Sequence, residues 1–194
     1  MTTSARTYHH GNLREALLTA AESALASGGD LSLRALARQV GVSHAAPRRH
    51  FSDKQALLDA LAEDGFVRLG TVLREAVAEG DFEARLLGFA GAYVTFAVEH
   101  AALLDLMWAG KHRLDAVRVA SDQAFAAPLA LVAEGQAAGE VVEGDVEQVA
   151  TVAVATLHGL AAMVNNGMLA ASQLDEIVPA TVERLLLGLR PRAS

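Results

Sequence analysis

The sequence contains no cysteine, which excludes disulfide bridges and thiolate metal sites and agrees with a reducing cytosol. No apolar run approaches the ~20 residues that span a bilayer. The start, MTTSARTYHHGNLRE, has no apolar signal segment, so a cytoplasmic chain with no membrane partner is expected. Strand signals, internal repeats and low-complexity tracts are missing too. So are GxSxG, a P-loop, HExxH and a dinucleotide fingerprint. Glu140 and Glu143 fall in a turn and read as solvated. The chain is therefore not expected to be an enzyme, and no catalytic residue or cofactor is assigned. His100, Asp105 and His112 are not spaced as neighbours on one helix, so no metal site is expected either.

What is present is a chain of 194 residues, 52% hydrophobic and 20% charged, enough for a substantial core and against disorder. Its net charge of −7 is uneven. Residues 1–60 carry seven Lys or Arg (Arg6, Arg14, Arg34, Arg38, Arg48, Arg49, Lys54) against five acids, and the remainder is strongly acidic. A basic head on an acidic body points to an anionic partner for the head alone. Within it, GVSHAAPRRHFSDKQALL (41–58) gathers His44, Arg48, Arg49 and His50, with Lys54 just beyond.

Almost every segment has helical spacing. Asn12 with Glu15 reads as a capping box for a helix stopped by Gly28–Gly29. Ser32 caps a short helix whose Leu33, Leu36, Ala37 and Val40 share a face opposite Arg34 and Arg38, and Gly41 ends it. Ser43 is the next cap. Pro47 lies in the first turn after it, where a missing N–H costs little, so a helix of about seven residues is expected up to Phe51. Ser52 with Gln55 reads as the capping box of a long helix over 53–78. Further helices are predicted over 82–99, 101–109, 113–138 with Pro128 inside, 146–170 with Asp145 as cap, and 174–189. The fold class is all-α.

Three helices of unequal length, the last two joined at a glycine turn, form a helix-turn-helix pattern. A short helix braced by neighbours can enter a major groove about 12 Å wide. Here Val42 and Phe51 would dock inward, while His44, Ala45, Ala46, Arg48 and Arg49 face double-stranded DNA. Small residues allow close approach to base edges, and the cations supply phosphate contacts.

Residues 12–60 resemble the DNA-binding domain of the TetR family of bacterial transcriptional regulators, on LREALLTAAESALASGG, LSLRALARQVGVS and HFSDKQALLDAL. YHHGNLR, HAAP, EHAALLDLMW and the later HGLA are similar to one branch of that family. The resemblance implies an N-terminal helix-turn-helix domain at 1–58 joined by a long helix to an effector-binding and dimerisation domain at 59–194. It implies phosphate or positioning contacts from Ser32, Ser43, Arg48 and Lys54, with His44, Ala45 and Ala46 nearest the bases. Arg49 and His50 serve either role, and Arg6, His9 and His10 form an arm. Family members usually place a tyrosine where this chain has Arg48; arginine can meet the same phosphate with charge and more donors.

One short helix reads too few base pairs, so a homodimer on an inverted repeat is expected. Its interface is assigned to the last two helices, through Val149, Val152, Ala153, Thr156, Leu160, Val178, Val182 and Leu185. A second apolar row on the first of these (Ala150, Val154, Leu157, Ala161, Val164) would face the chain's own core. Tyr93, Phe96, Met107, Trp108, His112, Phe125, His158 and Met163 are the candidates to line a pocket for a small organic effector. The expected function is a repressor released from its operator by that effector. The alternative is a helical DNA-binding or interaction module that has no pocket.

Overall fold

The computed structural model describes residues 13–190, so the Asn12 cap and the arm residues Arg6, His9 and His10 lie outside the described residues. Among the described residues every regular element is helical, and the protein is all-α. The helices are α1 (Leu13–Ala26), α2 (Leu33–Val40), α3 (Lys54–Ala76), α4 (Phe82–Glu99), α5 (Ala101–Lys111), α6 (Asp115–Ala137), α7 (Val146–Asn165) and α8 (Leu174–Leu189). Short 3₁₀ turns at Pro47–Arg49 and Ala171–Gln173 complete the order.

Local chemistry accounts for most boundaries. The Ser32 hydroxyl accepts the Ala35 N–H, and Asp145 accepts those of Glu147 and Gln148, so both act as N-caps. Gly41 takes φ +79°, a left-handed conformation that glycine adopts without a Cβ penalty, and Val42 N–H closes α2 on the Ala37 carbonyl. Two boundaries differ from the sequence reading. Asp53, not Ser52, caps α3: its carboxylate accepts the Ala56 N–H at 2.9 Å, while the Ser52 hydroxyl bonds Asp53. Helix α7 stops at Asn165 rather than 170, because Gly167 at φ +70° lets Met168 N–H return to the Met163 carbonyl at 2.8 Å. Helix α6 continues through Pro128 without interruption.

By contact the chain divides into two compact units. One holds the residues up to Gly65 together with Ala102–Val117; the other holds Phe66–Ala101 and the residues from Arg118 onward. Helix α3 thus gives its first half to one unit and its second half to the other.

In the first unit α1 packs on α2, and both touch the Pro47–Arg49 turn. Leu17, Ala21, Leu36, Ala37, Leu57 and Leu61 are buried at its centre, each leucine contributing about 1.5–3 kcal/mol of apolar burial. Helix α5 joins them closely. A Cβ at Gly65 would stand 2.7 Å from Met107 Sδ, and Arg113 pairs with Asp59.

In the second unit α4 packs against α7 and α8, burying Phe82, Phe89, Tyr93, Leu157, Val178, Val182 and Leu186. Arg85 Nε donates to the Val77 carbonyl at 2.8 Å and its guanidinium reaches Glu134 at 2.7 Å.

By length and composition alone, Asp115–Ala137 and Val146–Asn165 are long and apolar enough to cross a membrane, which corrects the reading that no such run exists. Alanine and valine carry their hydropathy rather than unbroken leucine, and α7 lays part of that surface on α4.

Candidate nucleic-acid interface

The segment from Gly41 to Lys54 separates inward from outward side chains. Pro47 and Phe51 are buried and Val42 is half-buried. Ser43, His44, Ala45, Arg48, Arg49, His50 and Lys54 are exposed, with Ala46 half-buried. Five of the outward residues carry a guanidinium, an ammonium or an imidazole within eleven positions, namely His44, Arg48, Arg49, His50 and Lys54. Such groups meet phosphate oxygens with short, charge-assisted hydrogen bonds.

The expected seven-residue helix is absent and is replaced by a tighter path. Ala46 N–H bonds the Ser43 carbonyl at 3.0 Å, Arg49 N–H bonds Ala46 at 3.2 Å, and the N–H groups of His50 and Phe51 both reach Pro47 at 2.9 Å. Pro47 has no N–H to offer Ser43, so the first α-type bond cannot form; the turn runs at three-residue spacing until Phe51 N–H reaches back four residues to Pro47. Ser43 therefore contributes its carbonyl to the turn. Pro47, which the sequence suggested was merely tolerated, is instead a buried docking residue beside Phe51.

The acids close to these cations are held by backbone amides. Asp30 accepts the Ser32 N–H at 2.8 Å and the Ser32 hydroxyl at 3.0 Å. Those bonds hold its carboxyl below the usual range, with smaller help from the charges of Lys54 and Arg38. Asp53 is lowered chiefly by the Ala56 N–H. Arg34 and Arg38 are exposed on α2.

The eight pocket candidates do not all come together. Met107, Trp108 and His112 belong to the first unit, where Met107 packs at Gly65, Trp108 lies 5.4 Å beneath Lys111 Nζ, and His112 is exposed. Tyr93, Phe96, Phe125, His158 and Met163 belong to the second. There the Tyr93 ring is fully buried, 6.2 Å from Phe89 and 6.3 Å from Phe125. Its hydroxyl lies 3.2 Å from His158 Nδ1. Phe96 meets His100 in a tilted ring pair with centroids 4.7 Å apart, and Met163 is exposed. Asn165 donates to the Ala97 carbonyl at 3.1 Å, tying α7 to α4.

Sequence reasoning missed Ser121, a hydroxyl with no exposed surface and no hydrogen-bond partner. A mid-helix serine gives no sequence signal of this, because such residues commonly bond their own helix.

The residues assigned to a dimer interface divide by burial. Ala153, Leu160, Val178 and Val182 are buried within the protomer. Val152 and Thr156 are exposed, and Val149 and Leu185 are half-buried.

A family model described as tetracyclin repressor-like, C-terminal domain, matches residues 86–187. No curated protein matches the chain. Among solved structures, a protein of unknown function from Rhodococcus sp. RHA1 is 45% identical, with a TM-score of 0.86 over 96% of this chain and 100% of that one. A tetR-family regulatory protein from Rhodococcus RHA1 shares 19% identity with a TM-score of 0.71, covering 93% and 98%. A TetR-family transcription regulator from Marinobacter aquaeolei VT8 shares 18% with a TM-score of 0.77, covering 92% and 96%. At those identities the last two show a shared fold.

Proposed function

We propose, from the premise that the chain belongs to the TetR family of DNA-binding transcription regulators, that it is a homodimeric repressor released from an inverted-repeat operator by a small molecule. The family and fold are those of transcription regulators rather than of enzymes.

The observation that carries this reading is the outward set on the 43–54 segment. Ser43, His44, Arg48, Arg49, His50 and Lys54 are exposed while Pro47 and Phe51 anchor the same segment to the core. Arg48, Arg49 and Lys54, with Ser32 and Ser43, contact phosphates; His44, Ala45 and Ala46 approach the bases, and His50 serves either role. The likeness of YHHGNLR, HAAP and HGLA to one branch of the family supports assigning the chain to that branch.

Two copies pair through the parts of α7 and α8 left uncovered in the protomer, Val149, Val152, Thr156 and Leu185. Effector binding occurs in the C-terminal region, around Tyr93, Phe125 and His158, and acts by favouring the state in which the two heads no longer match their half-sites. A few kcal/mol of differential affinity suffices for release.

A mobility-shift titration on the DNA upstream of the protein's own gene, repeated at several salt concentrations, tests this. The expected result is a dimer-sized complex that weakens steeply with salt; a monomer-sized or salt-insensitive complex contradicts it.

A further inference from the structure

Histidine is used in two ways by this fold. His158 meets the buried Tyr93 hydroxyl, and His100 is half-buried against Phe96. His44 and His50 are exposed instead, and among the described residues neither ring is hydrogen-bonded. Both stand on the outward segment that carries Arg48, Arg49 and Lys54.

The charged groups around the two rings are mostly cationic or already engaged. Helix α1, packed on the Pro47–Arg49 turn, brings Arg14, Glu15 and Glu22. Arg14 lies over the Phe51 ring, which is itself 6.4 Å from the His50 ring. Helix α2, also packed on the turn, brings Arg34 and Arg38. Helix α3 opens with Lys54, and its Asp59 accepts from Gln55 and Arg113. Asp53 and Asp30 give their carboxylates to the Ala56 and Ser32 amides. The stretch Ser43–Lys54 holds three permanent cations and one acid, a net charge of +2 with both rings neutral and +4 with both protonated. Histidine is the side chain whose charge ordinarily changes between about pH 5 and 8, and a nearby phosphate favours the protonated imidazole.

We infer that His44 and His50 make DNA binding proton-linked, so that the chain holds duplex DNA more tightly as its surroundings acidify. This rests on the DNA-binding reading above and adds a regulation to the same surface. The bound state holds protons that the free state binds less firmly. Affinity therefore rises as pH falls through the imidazole range and levels off below it. Asp30 and Asp53, both held below the usual carboxylate range, stay ionised over that interval, so the Asp53 cap of α3 is not altered with it.

The test is the affinity of the full chain for a duplex from upstream of its own gene, at about pH 6 and about pH 8 and at fixed ionic strength. The parent is expected to bind about tenfold more tightly at the lower pH, as about one proton linked over about one pH unit requires. Its slope of log K against log salt should be steeper there by about 0.9 for each imidazolium that meets a phosphate. Calorimetry in buffers of different ionisation enthalpy should show proton uptake on binding. His44→Gln with His50→Gln should remove both the pH dependence and the uptake. His44→Arg with His50→Arg fixes the charge and should keep the steep slope at both pH values; it decides the matter if the glutamine variant does not fold. Tight, salt-dependent binding by the parent that is indifferent to pH overturns the inference and leaves the DNA-binding reading standing. A pH dependence that survives in both variants also overturns it, because the protons then belong to other groups. No binding at either pH overturns the DNA-binding reading, and this inference with it.

Discussion

Arg14 lays its guanidinium over the Phe51 ring, 5.9 Å from the ring centroid. The first helix thereby covers the residue that closes the outward-facing cationic segment, and Phe51 retains only 3% of its surface in solvent. The position of the outward cations depends on that anchor more than on any helix of their own.

Truncating the anchor should therefore unfold the head. Phe51→Ala is expected to cost about 3–5 kcal/mol in urea denaturation, as buried phenylalanines do. Arg14→Ala should cost about 0.5–1 kcal/mol, the worth of an exposed cation–π contact. Equal costs for the two would mean that the ring is not the anchor.

Asp53 should make stability of α3 depend on acid. Its carboxyl is lowered in the folded protein by the Ala56 N–H. A depressed folded pKa gives stability that is complete above the unfolded value of about 3.9 and is lost as pH falls through the lower folded value. Asp53→Ala should accordingly melt below the parent protein at pH 7, with the gap narrowing below about pH 4. A gap independent of pH would show that the cap does not act through its charge.

Much of this was legible in the residues because the forces are local. Ser32, Gly41 and Asp145 mark helix ends through bonds to amides at most a few positions away, and such chemistry is visible in a short window. Phe51 was visible as an inward aromatic for the same reason. The path from Ser43 to His50 was not, since Pro47's lost donor and its burial act together, and burial is a tertiary property. Asp53 competed with its neighbour Ser52, and only geometry decides between adjacent oxygens. On α7 two apolar rows were visible, but their spacing does not say which is covered: Ala153 and Leu160 are buried while Val152, adjacent in sequence, is 57% exposed. The pocket candidates were grouped by residue type, and the fold distributes them over two units.

Val152 provides the test of pairing. Being exposed in the protomer, it tolerates a charge there, whereas a dimer face does not. Val152→Glu should elute as a folded monomer in size exclusion with light scattering, its circular dichroism unchanged. A dimer that survives the substitution would move the interface elsewhere.

The central claim is that the cations of the 43–54 segment bind DNA phosphates. The slope of log K against log salt measures it, compared between the parent protein and an Arg48→Ala, Arg49→Ala, Lys54→Ala triple variant. Each lost phosphate contact removes about 0.9 from the slope, so the variant should bind weakly, with a slope shallower by roughly 2–3, while remaining folded and paired. An unchanged slope and affinity would contradict the account.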